Sequence, residues 1–346
     1  MQHDEKRWQN LGFQLGAVVL ALLLTSLVIL AAGAPPLDAF KQLLKGAFGA
    51  KMNVADTIVA WVPLLLATSG LLVTFAAGLW NIGVEGQIIL GSIFTTGILR
   101  LLQDSNLPPA FIIVLAVLGG MLGGGLWAVL AGLLKTFGGV NEIFGGLGLN
   151  FIATSMTIWL IFGPWKRPGV GSMSGTEPFP ESLWLPTLPG LRLSIWTVVL
   201  GIIALVVIYF LLQGTYFGLK LKAVGNNQRA AFLLGIPTWQ YMLLAFFLCG
   251  LFAGLAGAMQ VVAVYHRLIP SISSGYGYLG LMVAMLINYQ AVWVAPIAFF
   301  FAALNIGSIQ LPIALKLDSS LAGVIQGSLV LAVLMVEGIR HRLVRK

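Results

Sequence analysis

Within the apolar run FAAGLWNIGVEGQIILGSIF, Phe75–Phe94, three polar side chains stand close together: Asn81, Glu85 and Gln87. A carboxyl group in hydrocarbon costs roughly 2.5–3.5 kcal/mol on insertion scales, so its presence asks for a use. On a helix Asn81 and Glu85, four apart, share a face, while Gly78, Gly83 and Gly86 loosen the backbone. Broken helices at membrane depth are tolerated where they line a wet cavity or pack inside protein. Two uses are open: a polar lining along a solute pathway, or a hydrogen-bonded tie between helices that touches no solute. Asn150, two turns into the run that begins VNEIFGG, is a further pathway candidate. Asn141 and Glu142 at the head of that run are explained locally, as an N-cap and an acid at the positive end of a helix.

A second group has the makings of a docking element. In KAVGNNQRAAFLLGIPTW, Asn226 or Asn227 caps a short helix that runs through Leu234, Gly235 ends it, and Pro237 forbids its continuation. Ala230 and Ala231 leave one side nearly bare, a shape suited to insertion in a partner's groove, with Lys220, Lys222 and Arg229 around it. A merely solvated loop needs no capped helix with an apolar end.

Catalytic chemistry has little to work with. There is no G-x-x-x-x-G-K-[ST] phosphate loop and no H-E-x-x-H, no G-x-S-x-G elbow, and His3, His266 and His341 lie far apart. The chain reads as a non-enzyme with no metal or cofactor, and any ATP hydrolysis must sit on another chain. One cysteine, Cys249, excludes a disulfide framework.

The elements that must hold these residues are membrane spans. Of 346 residues 59% are hydrophobic and 9% charged, and mean hydropathy is +0.97, whereas soluble domains carry about 25% charged residues. At about 20 apolar residues per span, about ten segments (eight to ten) emerge: 11–33, 55–78, 82–100, 110–134, 143–163, 195–213, 239–264, a 276–288 segment short enough to be re-entrant, 291–308 and 320–338. The fold class is therefore an all-α polytopic membrane protein with some spans broken or re-entrant. Residues 1–10 form an N-terminal tail, 11–338 one transmembrane domain with an outer loop at 164–194 and an inner loop at 214–238, and 339–346 a basic C-terminal tail. Leu11–Ala32 is too long for a signal-peptide core and reads as a retained first span, although AAGAPP imitates a cleavage site. Phe40, Leu43, Leu44 and Phe48 alternate with Lys41, Lys45 and Lys51 as an amphipathic interfacial helix. Bases crowding the span ends at both termini put both tails in the cytoplasm. The net charge of +8 is scattered, without the basic stripe of a nucleic-acid binder. Gly119/Gly123, Gly120/Gly124 and Gly250/Gly254/Ala258 recur at the spacing that lets membrane helices approach closely. Tyr276 and Tyr278 fit an interfacial aromatic belt.

Three stretches, GLWNIGVEGQIILG (Gly78–Gly91), VNEIFGGLGLNFIA (Val140–Ala153) and LKAVGNNQRAAFLLGI (Leu221–Ile236), with GYGYLGLMVAML (Gly275–Leu286), resemble the permease subunits of bacterial ABC importers in the branched-chain amino acid and ribose superfamily. The nearest branch is similar to the simple-sugar and nucleoside permeases that work with basic membrane protein-type lipoproteins. Ala230, Ala231 and Gly235 match the general importer pattern of two alanines, three residues and a glycine. Arg229 stands where many importers have Glu, and Gly145, Gly146 and Phe151 replace the run that follows NEVI in related permeases. The resemblance implies an ATPase-coupling helix carried by Gly225, Asn226, Asn227, Arg229, Ala230, Ala231 and Gly235. It also implies separate ATP-binding cassette subunits, a second homologous permease or a homodimer mate, an extracytoplasmic solute-binding lipoprotein, and a place in the lipid of a bacterial cytoplasmic membrane. The solute would be a nucleoside first, a simple sugar next. A rival from a different class is a secondary transporter coupled to protons through Glu85.

Overall fold

The structure is a computed structural model that describes residues 19–20, 22–169, 175–287, 290–316, 318 and 320–344. The expected N-terminal tail, the start of the first span and residues 345–346 lie outside them, as do Asn288 and Tyr289. The described residues contain no strand; they form helices joined mostly by short connections. The chain groups into two compact units, 1–57 with 300–346, and 58–299.

In the first unit, α1 (Leu22–Ala31) and α2 (Pro36–Phe48) meet at a 104° bend. Pro35 and Pro36 make that bend, because proline at the first helical position starts a helix well but cannot continue one. Ile29, Ala34, Ala39 and Leu43 pack against Leu311 of α13 (Gln310–Leu315) and against Leu321 and Ile325 of α14 (Leu321–Val344). The amphipathic α2 is present, but its buried face is Ala39, Leu43, Gly46 and Ala47, while Leu44 and Phe48 are exposed. The small residues win the inside because the backbone of Gly307 sits directly on Gly46. Helix α14 carries the chain past the boundary expected at 338, to Val344.

The second unit is built around α4 (Val84–Leu102), whose residues are mostly buried. Helix α3 (Lys51–Ala76) precedes it; α5 (Pro109–Thr136), α6 (Glu142–Phe162), α7 (Ile195–Gly214), α8 (Tyr216–Asn226), α9 (Gln228–Leu233), α10 (Thr238–Met259), α11 (Tyr276–Leu286) and α12 (Val294–Gly307) follow. The small-residue spacing does what it predicts. A methyl group on Gly124 would lie 2.6 Å from Cα of Gly254, and one on Gly120 would lie 3.0 Å from the carbonyl oxygen of Gly91 and 3.0 Å from Cβ of Ala258. Helices α4, α5 and α10 thus touch backbone to backbone, where dispersion and weak polar contacts replace the hydrophobic effect.

Six helices among the described residues are long and apolar enough to cross a membrane: α3, α5, α6, α7, Thr238–Tyr265 and Ala291–Leu315, with a seventh if α1 and α2 count as one bent span. The count of about ten is not confirmed among the described residues, which omit the start of the first span. Glu85, Gln87 and Arg100 dilute α4; α11, expected at 276–288, has 11 residues, too few to span.

After Met259, α10 widens into a π-helical turn, Gln260–Tyr265, and ends at His266 in the left-handed region (φ 54°). Residues 175–194 are ordered on this break. Leu185 N donates to Val262 O (2.9 Å), a carbonyl at the π-turn, Phe179 N to His266 O (2.9 Å) and Thr176 N to Leu268 O (2.9 Å). Trp184 stacks on the His266 ring at 3.9 Å. As their prolines predict, residues 175–194 form turns and one short 3-10 helix, Glu181–Leu183.

Candidate functional site

The four polar residues singled out in the sequence meet at the start of α4, and each is buried. Gly78 makes the turn out of α3 with φ +70°, and residues 77–83 form turns and irregular backbone between α3 and α4. Asn81 and Gln87 face each other in a reciprocal amide pair: Asn81 Nδ2 donates to Gln87 Oε1 (3.1 Å) and Gln87 Nε2 to Asn81 Oδ1 (2.9 Å). Asn81 Nδ2 also lies 3.1 Å from Cys249 Sγ on α10.

Asn150 reaches from α6 to the same turn. Its Oδ1 accepts from Gly86 N (2.8 Å), and its Nδ2 donates to Ile82 O (3.0 Å) and to the Tyr278 hydroxyl (3.2 Å). The approach is close because Gly146 of α6 lies against Gly83, where an added methyl would sit 2.6 Å from Gly83 N. Buried backbone groups need partners, and Asn150 satisfies two that the break in the helix leaves exposed.

Glu85 points the other way, into the first turn of α11. Its Oε2 accepts from Gly277 N (2.8 Å), and the Ser273 hydroxyl and the amides of Gly275 and Tyr278 surround the same carboxyl. Helix α11 has no side-chain cap of its own, and Gly275 enters it at φ +74°. The carboxyl therefore serves as the missing cap, at the helix end whose free N–H groups favour an acid. Gly277 is required for it: a methyl there would lie 2.5 Å from Oε2 and 2.7 Å from both N and Cα of Glu85.

Sequence reasoning missed most of these partners. Tyr276 is buried rather than set in an interfacial belt, and Tyr278 belongs to the polar cluster through its hydroxyl. Cys249 was visible only as a lone cysteine. The Trp127 indole N–H, beside Gly86, is buried without a partner. The local reading at the head of α6 holds: Asn141 Oδ1 accepts from Ile143 N (2.9 Å), while Glu142 also pairs with Lys135 Nζ (2.6 Å).

Residues 214–238 hold the second set. Thr215 caps α8 by accepting from Gly218 N (3.1 Å), and Asn227 caps α9 by accepting from Ala230 N (3.0 Å). Of the two asparagines offered by the sequence, Asn227 is the cap, and Asn226 closes α8. Gly235 ends the segment at φ +80°. Ala231 is buried, whereas Phe232 is 64%, Leu233 80% and Leu234 81% exposed, with Arg229 and Ala230 exposed beside them. Three consecutive bare apolar side chains on a polar loop form a projecting tip. At the other end of the loop, Gly225 packs on the α3–α4 break: its Cβ position lies 2.9 Å from Gly78 N, with Ala76 O nearer still. The loop thus meets the turn that leads to the polar cluster through backbone, not through flexible side chains.

Residues 53–334 match the family described as the permease component of the branched-chain amino acid transport system. The chain belongs to that permease family. It is a multi-pass membrane protein of the kind the sequence implied. Similar proteins include the guanosine ABC transporter permease protein NupP of Bacillus subtilis, 30% identical over 97% of this chain and 96% of the relative. The glucose ABC transporter permease protein TsgB13 of Haloferax volcanii is 27% identical over 97% and 91% of the two chains. The nucleoside ABC transporter permease protein NupB of Lactococcus lactis is 26% identical over 84% and 82%.

Proposed function

We propose that this chain is one permease half of an ATP-driven importer for a small polar solute, a nucleoside first and a simple sugar second. The observation that carries the reading is its end-to-end similarity to NupP, a guanosine permease, with the sugar permease TsgB13 as support for the second choice. A separate ATPase binds the tip formed by Phe232, Leu233 and Leu234, with Arg229 at its side. A second permease completes the pathway, an external binding lipoprotein delivers the solute, and both termini face the cytoplasm.

Motion at the ATPase passes along α9 and α8 to Gly225, and from there to the Gly78 turn that leads into Asn81, Glu85, Gln87 and Asn150. These four border the pathway and exchange protein partners for solute hydroxyls as α11 shifts against α4. Such an exchange suits transport, since hydrogen bonds are remade rather than lost and the solute is held only weakly in either state.

The test is uptake of labelled guanosine and of labelled glucose into vesicles holding the full chain with its ATPase, mate permease and binding protein. Accumulation should require ATP and survive an uncoupler. Uptake by the chain alone that an uncoupler abolishes would replace this reading with proton coupling through Glu85. Replacing Asn81, Glu85 and Asn150 together by Ala should end accumulation; unchanged uptake would remove them from the pathway.

A further inference from the structure

A cavity of about 520 Å³ in the second unit has a lining of the opposite chemistry to the polar cluster. Its walls are apolar side chains from α3 (Ile58, Trp61), from the approach to α7 and its first turns (Leu193, Ile195, Val198) and from the start of α12 (Phe299). The volume is that of a small-molecule site, but such sites normally place a few polar groups for orientation. Here the one polar side-chain atom, the Trp61 indole N–H, is already spent on Ala295 O at 2.9 Å. A nucleoside or a sugar would lose its water and gain no hydrogen bond in return. Only an aliphatic chain fits without that loss.

The rim says which aliphatic chain. Ile195 is 55% exposed, so the cavity opens outward. Its depth is set by Trp196 and Trp293, both exposed and each within two residues of a lining position, since exposed tryptophans concentrate where hydrocarbon meets headgroups. Arg192, also exposed, immediately precedes the lining residue Leu193. It borders a smaller void with Val59 and Ser194, the sequence neighbours of Ile58 and Leu193. A guanidinium at headgroup depth binds phosphate oxygens and gains further from a net negative lipid. A cation one residue from the slot's lining, beside interfacial tryptophans, is complementary to a phospholipid, anionic head with acyl tail. A second protein copy could fill the slot but would leave Arg192 without a counter-charge.

We propose that this cavity holds one acyl chain of an anionic phospholipid whose phosphate is bound by Arg192. The site owes nothing to the solute pathway and stands or falls separately from the transport reading.

The experiment places the full chain in phosphatidylcholine vesicles with a minor fraction of phosphatidylglycerol carrying a photoreactive diazirine on its acyl tail. After illumination, adducts are mapped by peptide mass spectrometry. Adducts should concentrate on the peptides holding Ile58, Trp61 and Val198 rather than on the exposed faces of α5, such as Leu118 and Leu126. Arg192→Gln should lower labelling by the phosphatidylglycerol probe about five-fold and leave labelling by the matching phosphatidylcholine probe unchanged. Val198→Trp, which fills the slot, should abolish labelling by both probes there; should it fail to fold, the exposed Arg192→Gln variant decides alone. Labelling spread evenly over α5 and the slot overturns the proposal. So does indifference to Arg192→Gln, or efficient disulfide cross-linking of Ile195→Cys between two copies with no lipid adduct at the slot.

Discussion

Replacing Glu85 by Gln and by Ala separates the two uses open to a carboxyl group at this depth. Glu85 Oε2 accepts from Gly277 N at 2.8 Å and caps the start of α11. Glutamine keeps an oxygen of the same reach, so the Gly277 bond survives. What is lost is a favourable acid at a helix start, about 0.3–1 kcal/mol. Alanine leaves the Gly277 N–H buried without an acceptor, which costs about 1–3 kcal/mol, and empties the space the side chain filled. The alanine variant should therefore be less stable than the wild type by about 2–4 kcal/mol in sum. At about 2 °C per kcal/mol for a chain of this length, its thermal midpoint in mild detergent should fall by about 4–8 °C, and that of Glu85→Gln by no more than about 2 °C. Tryptophan fluorescence during a thermal ramp measures both, and ATP-driven uptake measured alongside should follow the same order. Glu85→Ala melting with the wild type would remove the cap. Glu85→Gln with a wild-type midpoint and no uptake would show that the carboxyl works by its proton rather than by its hydrogen bond.

Four other perturbations reach different parts of the molecule. Gly277→Ala places a methyl 2.7 Å from the Glu85 backbone, which cannot rotate away, so it should destabilise by about 1–3 kcal/mol and mimic Glu85→Ala in the same melt. Gly225→Val drives a branched side chain into Ala76, Ala77 and Gly78; it should uncouple ATP hydrolysis from uptake while leaving the ATPase bound, and intact coupling would break the proposed link. Changing Phe232, Leu233 and Leu234 together to Ser should abolish co-purification of the ATPase without moving the thermal midpoint, because all three are exposed. Burial holds the His266 imidazole below its ordinary value of 6.5. A neutral ring favoured by the fold contributes stability that is complete above that value and declines as the pH falls through it towards the lower folded value. The 175–194 segment should loosen as the pH falls, read as faster hydrogen exchange at the Phe179 and Leu185 amides, and His266→Phe should remove the pH dependence while keeping the stack on Trp184.

Much of the fold is local and could be read from order and type alone. Asn141 and Asn227 at helix starts and Gly235 at a helix end act within a few residues, so sequence neighbours suffice to place them. The glycine spacing in α5 and α10 likewise predicted close packing, because four residues are about one helical turn. The number of spans was less legible. Apolar runs measure hydrophobicity, but α4 and α11 are positioned by what surrounds them, and their own composition or length does not mark them as ordinary spans.

The polar cluster marks where that reading stops. The sequence by itself determined that a carboxyl and three amides lie in apolar runs, with glycines clustered beside the carboxyl, and left open whether they line a pathway or tie helices together. Which atoms they would meet was decided by tertiary structure. Gly277 lies 192 residues from Glu85, and Tyr278 lies 128 from Asn150. A hydrogen bond is fixed by distances of about 3 Å, and only the packing of α11 and α6 against α4 brings such distant residues within that range. The same holds for the apolar slot, where α3, the approach to α7 and α12 supply ordinary apolar residues that line one cavity only because the chain's packing brings them together.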